Sequence, residues 1–130
     1  HCTACHWGPY FSDGRFHNLG VPPKDPKNPD VGRFAVTKNP RDMGAFKTPT
    51  VRDAAKRAPY LHDGSEKTLE SLIEFYNRGG GKVLNLDPLM VPLGLTRQEI
   101  KALVAFIQAL DSLNPEVADV KPIPASELPK

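Results

Sequence analysis

The sequence predicts a small all-α domain with long Pro/Gly-rich loops, and three observations carry that expectation. Two segments repeat apolar residues at helical spacing. Ten glycines and 14 prolines punctuate the remainder, and Cys2, Cys5 and His6 stand together near the first residue. A chain of 130 residues suits one domain. Its net charge of +2 gives no bulk electrostatic case for nucleic acid or an anionic membrane surface. Two cysteines cannot build a disulfide scaffold, and no apolar run approaches the ~20 residues of a membrane span.

Residues 1–20 combine Cys2, Cys5 and His6 with the aromatics Trp7, Tyr10, Phe11 and Phe16, and close at Asn18-Leu19-Gly20. In 21–32, Pro22, Pro23, Pro26 and Pro29 deny both helix continuation and ladder donors, so an extended surface loop is expected. Periodicity is weak over 32–64. Gly44 to Thr50 reads as a turn and an extended piece, followed by a short helix over Thr50–Arg57 before Pro59. Thr68 is an N-cap for a helix carrying Leu69, Leu72, Ile73 and Tyr76 at i, i+3, i+4 and i+7, stopped by Gly79-Gly80-Gly81. Thr96-Arg97-Gln98-Glu99 forms a capping box, Leu95 and Ile100 a hydrophobic staple, and Ile100, Leu103, Val104, Ile107 and Leu110 the buried stripe. The domain is expected over 1–113, with a Pro-rich extended tail over 114–130.

Cys2-Thr3-Ala4-Cys5-His6 is a C-x-x-C-H sequence, the attachment site of a c-type haem. Two thiols three residues apart on one helical turn can each bond a haem vinyl group, and the adjacent imidazole then faces the iron. A thioredoxin-like pair would need a βαβ pattern that is missing. A zinc site would need a second Cys/His pair, for which His17 and His62 are poor candidates. Haem also supplies the apolar body that a proline-rich chain otherwise lacks. The fold is therefore expected to be cytochrome c-like, with one covalent haem c and His6 as proximal ligand. Such attachment occurs outside the cytoplasmic membrane, so a periplasmic location is expected. With no leader pattern before Cys2, a mature fragment or one piece of a longer polypeptide is expected.

The sixth iron position decides what a haem does. Met90, Met43, His62, His17 and Tyr76 are the candidates that residue chemistry leaves open. A methionine is often core filler, the histidines suit structural hydrogen bonds, and Tyr76 on an apolar helix face suits the core.

Gly44 to Arg52, Ala58-Pro59-Tyr60-Leu61-His62-Asp63-Gly64, Thr68-Leu69-Glu70, Phe75 to Gly80, Asn85-Leu86-Asp87-Pro88 and Pro92 to Thr96 together resemble the C-terminal haem domain of the bacterial dihaem cytochrome c peroxidase/MauG family. The resemblance covers residues 2–113. It implies a missing N-terminal haem domain or chain where hydrogen peroxide reacts, while the haem on Cys2, Cys5 and His6 is six-coordinate and passes or stores electrons. Peroxidases of that family have a ligand methionine where Tyr76 stands, and the MauG branch, which oxidises a protein, has an axial tyrosine. The resemblance thus favours Tyr76 as distal ligand, with Met90 as the alternative. Phenolate ligation would lower the iron potential relative to methionine. It also implies an interdomain Ca2+ bound by the backbone carbonyls of Arg57 and Pro59, although the arginine replaces a customary threonine and brings a cation to the site. Arg52 and Lys47 are candidate partners of the haem propionates, against the alternative of solvated surface charges. His62-Asp63-Gly64 is expected to fix a turn under the haem, and Trp7 to pack beside it or lie on an interdomain electron path.

The function expected is the electron-transfer haem domain of a periplasmic dihaem peroxidase-type oxidoreductase of the MauG-like kind, drawing electrons from a protein donor or protein substrate. The rival is a monohaem electron carrier with His6 and Met90 as ligands and no catalysis. A zinc or thiol redox module remains only if no haem is attached.

Overall fold

The computed structural model describes residues 1–112, so the expected tail over 114–130 lies outside the described residues. Regular structure is brief. In order come a 3-10 turn at Cys2–Ala4, strand β1 (Phe16–His17), helix α1 (Phe34–Thr37), a 3-10 turn at Pro40–Asp42, strand β2 (Phe46–Lys47), a 3-10 turn at Ala54–Lys56, helix α2 (Leu69–Asn77) and helix α3 (Arg97–Ala109). Loops make up much of the remainder, as the proline and glycine content predicts.

Helices α2 and α3 form where the apolar spacing places them. The Thr68 hydroxyl accepts the Ser71 N–H at 3.1 Å and the Ser71 hydroxyl accepts the Thr68 N–H at 3.3 Å, closing the first turn of α2. At α3, Glu99 accepts the Thr96 N–H at 2.8 Å and Thr96 accepts the Glu99 N–H at 3.3 Å, the reciprocal capping box read from the sequence. Past α2 the chain turns away through left-handed Gly79 (φ 84°) and Gly80 (φ 75°), a conformation that costs glycine little. Leu69 and Ile73 of α2 meet Ile100 and Val104 of α3, and Leu72, Leu95, Leu103 and Ile107 pack around them. This narrow seam is the core. Among the described residues no large side chain is completely buried, and none of the helices is long and apolar enough to cross a membrane.

Three details depart from the sequence reading. The all-α expectation gives way to a mostly helical, loop-rich domain with one antiparallel pair, in which Phe16 faces Lys47 and His17 faces Phe46. A two-residue pair carries too little alternation to be visible in a sequence. The helix expected over Thr50–Arg57 shrinks to the turn Ala54–Lys56, because Asp53 enters it left-handed at φ 54°. Finally, α1 forms within the weakly periodic stretch and ends at left-handed Lys38.

Candidate haem-attachment site

The Cys2–Ala4 turn is tied by the His6 N–H donating to the Cys2 carbonyl at 2.9 Å. It carries both thiols unpaired, Cys2 exposed and Cys5 half-buried. The turn after it is closed by the Phe11 N–H to the Gly8 carbonyl (3.1 Å) and the Ser12 N–H to the Trp7 carbonyl (3.2 Å). These bonds hold Phe11 left-handed at φ 48°, a conformation sterically costly for a side chain of this kind. His6 Nδ1 lies 3.0 Å from the Phe11 carbonyl oxygen. A carbonyl only accepts, so Nδ1 carries the proton and the lone pair of a neutral His6 is left on Nε2. Two unpaired thiols on one turn and an imidazole with Nε2 presented as donor are the set that a covalently attached haem requires. The residues fit that group.

Behind the turn stands an ionic clamp. The Asp13 N–H donates to the Cys5 carbonyl at 2.7 Å. His17 Nε2 reaches Asp13 Oδ2 at 2.9 Å, and His17 Nδ1 reaches Asp87 Oδ2 at 2.6 Å. Burial by itself would lower the His17 pKa, but its bonds to Asp87 and Asp13 raise it above the ordinary value. Burial opposes ionisation of Asp13 as well. The Arg15 N–H and the His17 imidazolium overcome it and draw that carboxyl down to about 2. Burial first, and then Asp13 and Asp87, push the Cys5 thiol up, so Cys5 stays protonated at neutral pH before any attachment. Cys5, Asp13 and His17 also present ligand atoms within 4.8 Å of one another. Were Cys5 converted to a thioether, that group would lose its thiol. Nothing in the sequence pointed to Asp87 as the partner of His17, since the two are 70 positions apart.

Helix α2 carries Tyr76 half-buried, within range of both thiols. Burial first, then the Cys2 and Cys5 charges, push its phenol up to about 12. The Tyr60 hydroxyl donates to the Ala54 carbonyl at 3.1 Å, whereas Tyr76 has no hydrogen-bond partner among the described residues. The Met90 methyl packs over Gly80, 2.8 Å from where a Cβ there would stand. Met43 is partly exposed, and its carbonyl accepts the Asn18 and Asn85 side-chain amides. His62 stacks flat on Phe46, ring centroids 3.6 Å apart at 8°.

The Arg52 guanidinium places Nε and Nη2 on one oxygen, the Pro9 carbonyl, at 3.1 and 2.8 Å, and lies 5.1 Å from the centre of the Phe11 ring. Lys47 borders a shallow cleft with Tyr10, Ser12, Asp13 and Thr50. The Arg57 side chain turns back to donate to the Thr50 carbonyl (2.8 Å) and the Arg52 carbonyl (2.6 Å). Among the described residues the backbone carbonyls of Arg57 and Pro59 accept no hydrogen bond. Trp7 is 62% exposed beside His6.

No family model matches the chain. Among curated proteins it is 37% identical over 155 aligned positions to a cytochrome-c peroxidase of Denitromonas iodatirespirans, covering 98% of this chain and 41% of that protein. It is 37% identical over 109 residues to the methylamine utilization protein MauG of Methylorubrum extorquens, covering 84% of this chain and 30% of that protein. The crystal structure of a MauG-like protein associated with microbial copper homeostasis superposes with a TM-score of 0.78 at 34% identity, covering 85% of this chain and 42% of that one. Over most of its length the chain is thus homologous to the dihaem cytochrome c peroxidase/MauG family, and it spans about two-fifths of the length of the relatives it matches.

Proposed function

We propose that this chain is the electron-transfer c-type haem domain of a periplasmic dihaem peroxidase-type oxidoreductase of the MauG-like kind. The carrying observation is the Cys2–His6 turn with His6 Nδ1 tied to the Phe11 carbonyl, set near Tyr76. A haem bound here supplies one-electron redox chemistry and takes on a cytochrome c-like setting. Cys2 and Cys5 would hold it through thioethers, and His6 Nε2 and the Tyr76 phenolate would serve as its iron ligands. The seam of Leu69, Ile73, Ile100 and Val104 fixes the height of Tyr76 by locking α2. Lys47, and the Nη1 edge of Arg52 that Pro9 does not use, would be the donors to its propionates. The carbonyls of Arg57 and Pro59 offer hard oxygen ligands to a Ca2+ completed by the companion domain. Hydrogen peroxide reacts in that N-terminal haem domain, and this chain carries electrons from a protein donor or protein substrate.

Low-temperature EPR with near-infrared magnetic circular dichroism on the ferric protein tests the ligation, comparing the parent with Tyr76→Phe. A low-spin signal without a sulfur-to-iron band, lost on substitution, supports His6/Tyr76 ligation. A sulfur band that survives the substitution overturns it in favour of Met90 and the electron-carrier reading.

A further inference from the structure

We propose that Arg52 is a positioning residue for the iron ligand: by clamping the Pro9 carbonyl it holds the turn in which the Phe11 carbonyl accepts the hydrogen bond of His6 Nδ1–H, and so it sets the reduction potential. This rests on the haem reading above. The connections are continuous. Arg57 donates from Nη2 to the Arg52 and Thr50 carbonyls, fixing the backbone from which Arg52 projects. Arg52 forks onto the Pro9 carbonyl through Nε and Nη2 and covers the Phe11 ring. Phe11 is held at φ 48°, and its carbonyl receives His6 Nδ1 at 3.0 Å. A non-glycine residue in a left-handed conformation returns to extended backbone unless its surroundings prevent it. Two donors on one carbonyl, with a planar cation over the ring, supply that restraint 43 positions away in the sequence.

The consequence for the iron has a definite sign. An N–H···O=C bond at Nδ1 increases electron donation from Nε2, favours the ferric state and lowers the potential. Loosening the turn weakens that bond and raises the potential. The Arg52 charge acts the opposite way. A nearby cation disfavours the ferric state, so deleting it would by itself lower the potential. Arg52→Lys separates the two effects, because lysine keeps the charge and loses the planar fork.

The experiment measures, on the haem-loaded chain, the midpoint potential by spectroelectrochemical titration and the solvent-exchange rate of the His6 Nδ1 proton by paramagnetic NMR. The samples are the parent, Arg52→Lys, Arg52→Gln and Arg57→Gln, the last reaching the same turn without touching Arg52. A higher potential in Arg52→Lys, a potential in Arg52→Gln below that of Arg52→Lys because the charge is also lost, and His6 proton exchange about tenfold faster in all three variants are the expected result. An unchanged potential in Arg52→Lys with a lowered one in Arg52→Gln overturns the proposal and leaves Arg52 acting by charge. Unaltered proton exchange in the variants also overturns it. A parent chain that takes up no covalent haem overturns the haem reading, and this proposal with it.

Discussion

His17 Nδ1 lies 2.6 Å from Asp87 Oδ2 while its Nε2 faces Asp13 Oδ2 at 2.9 Å, so one imidazole joins the attachment turn to the loop that leads to Met90. Asp87 extends the link, accepting the Leu89 N–H on its carboxylate at 2.8 Å and the Met90 N–H on its carbonyl at 2.9 Å.

This clamp gives a pH profile whose sign is fixed. The folded pKa of His17 is raised by Asp87 and Asp13, so its stabilisation is complete below the unfolded value near 6.5 and is lost as pH rises through the folded value. Asp13 is lowered to about 2, so its contribution is complete above the unfolded value of 3.8 and disappears as pH falls toward 2. Guanidinium unfolding of the haem-loaded chain across pH should show a plateau between those limits and a decline on the alkaline side. His17→Ala should cost about 3 kcal/mol at pH 6 and flatten the alkaline decline. The groups facing His17 are Asp13, Asp87 and Cys5.

Single substitution of either cysteine removes one thioether. Cys2→Ala and Cys5→Ala should each retain haem through the remaining bond, and their pyridine haemochrome spectra should shift toward that of a haem with one free vinyl. The double variant should lose haem on a denaturing gel, which haem-dependent peroxidase staining checks.

The glycine run after α2 is a packing site as well as a helix stop. A Cβ on Gly81 would stand 1.8 Å from the Gly20 carbonyl oxygen, and one on Gly20 would stand 2.4 Å from the Gly81 oxygen. Gly81→Ala should therefore destabilise by about 3 kcal/mol, through a backbone collision that rotamer adjustment cannot relieve. Thermal unfolding measures it, and Lys82→Ala is the neutral control.

Asn77 ties the end of α2 to the entry of α3. Its Oδ1 accepts the Leu95 N–H at 2.7 Å and its Nδ2 donates to the Leu95 carbonyl at 3.1 Å. Asn77→Ala should cost about 2 kcal/mol, against about 1 kcal/mol for Thr96→Ala at the cap. Because Asn77 follows Tyr76, it should also broaden the low-spin EPR signal, whereas Thr96→Ala should leave the signal unchanged.

Local chemistry wrote several features directly into the sequence. The caps at Thr68 and Thr96, the apolar stripe along each of α2 and α3, and the attachment turn each depend on residues within a few positions of one another, where spacing alone fixes which groups can meet. The order of residues along the chain cannot reveal pairings between distant segments. The β1–β2 pair, the back-to-back contact of Gly20 with Gly81, the grip of Arg52 on Pro9 and the Asp13–His17–Asp87 clamp join positions from 4 to 70 apart. Each is decided by where loops cross, and loops carry no periodicity from which a crossing could be read. Arg52 shows the difference most plainly. As a residue type it offers five donors to any anion or carbonyl, and the sequence suggested a propionate. The folded chain sets Pro9 within reach of two of those donors, because a carbonyl beside the attachment turn has no helix or strand partner of its own.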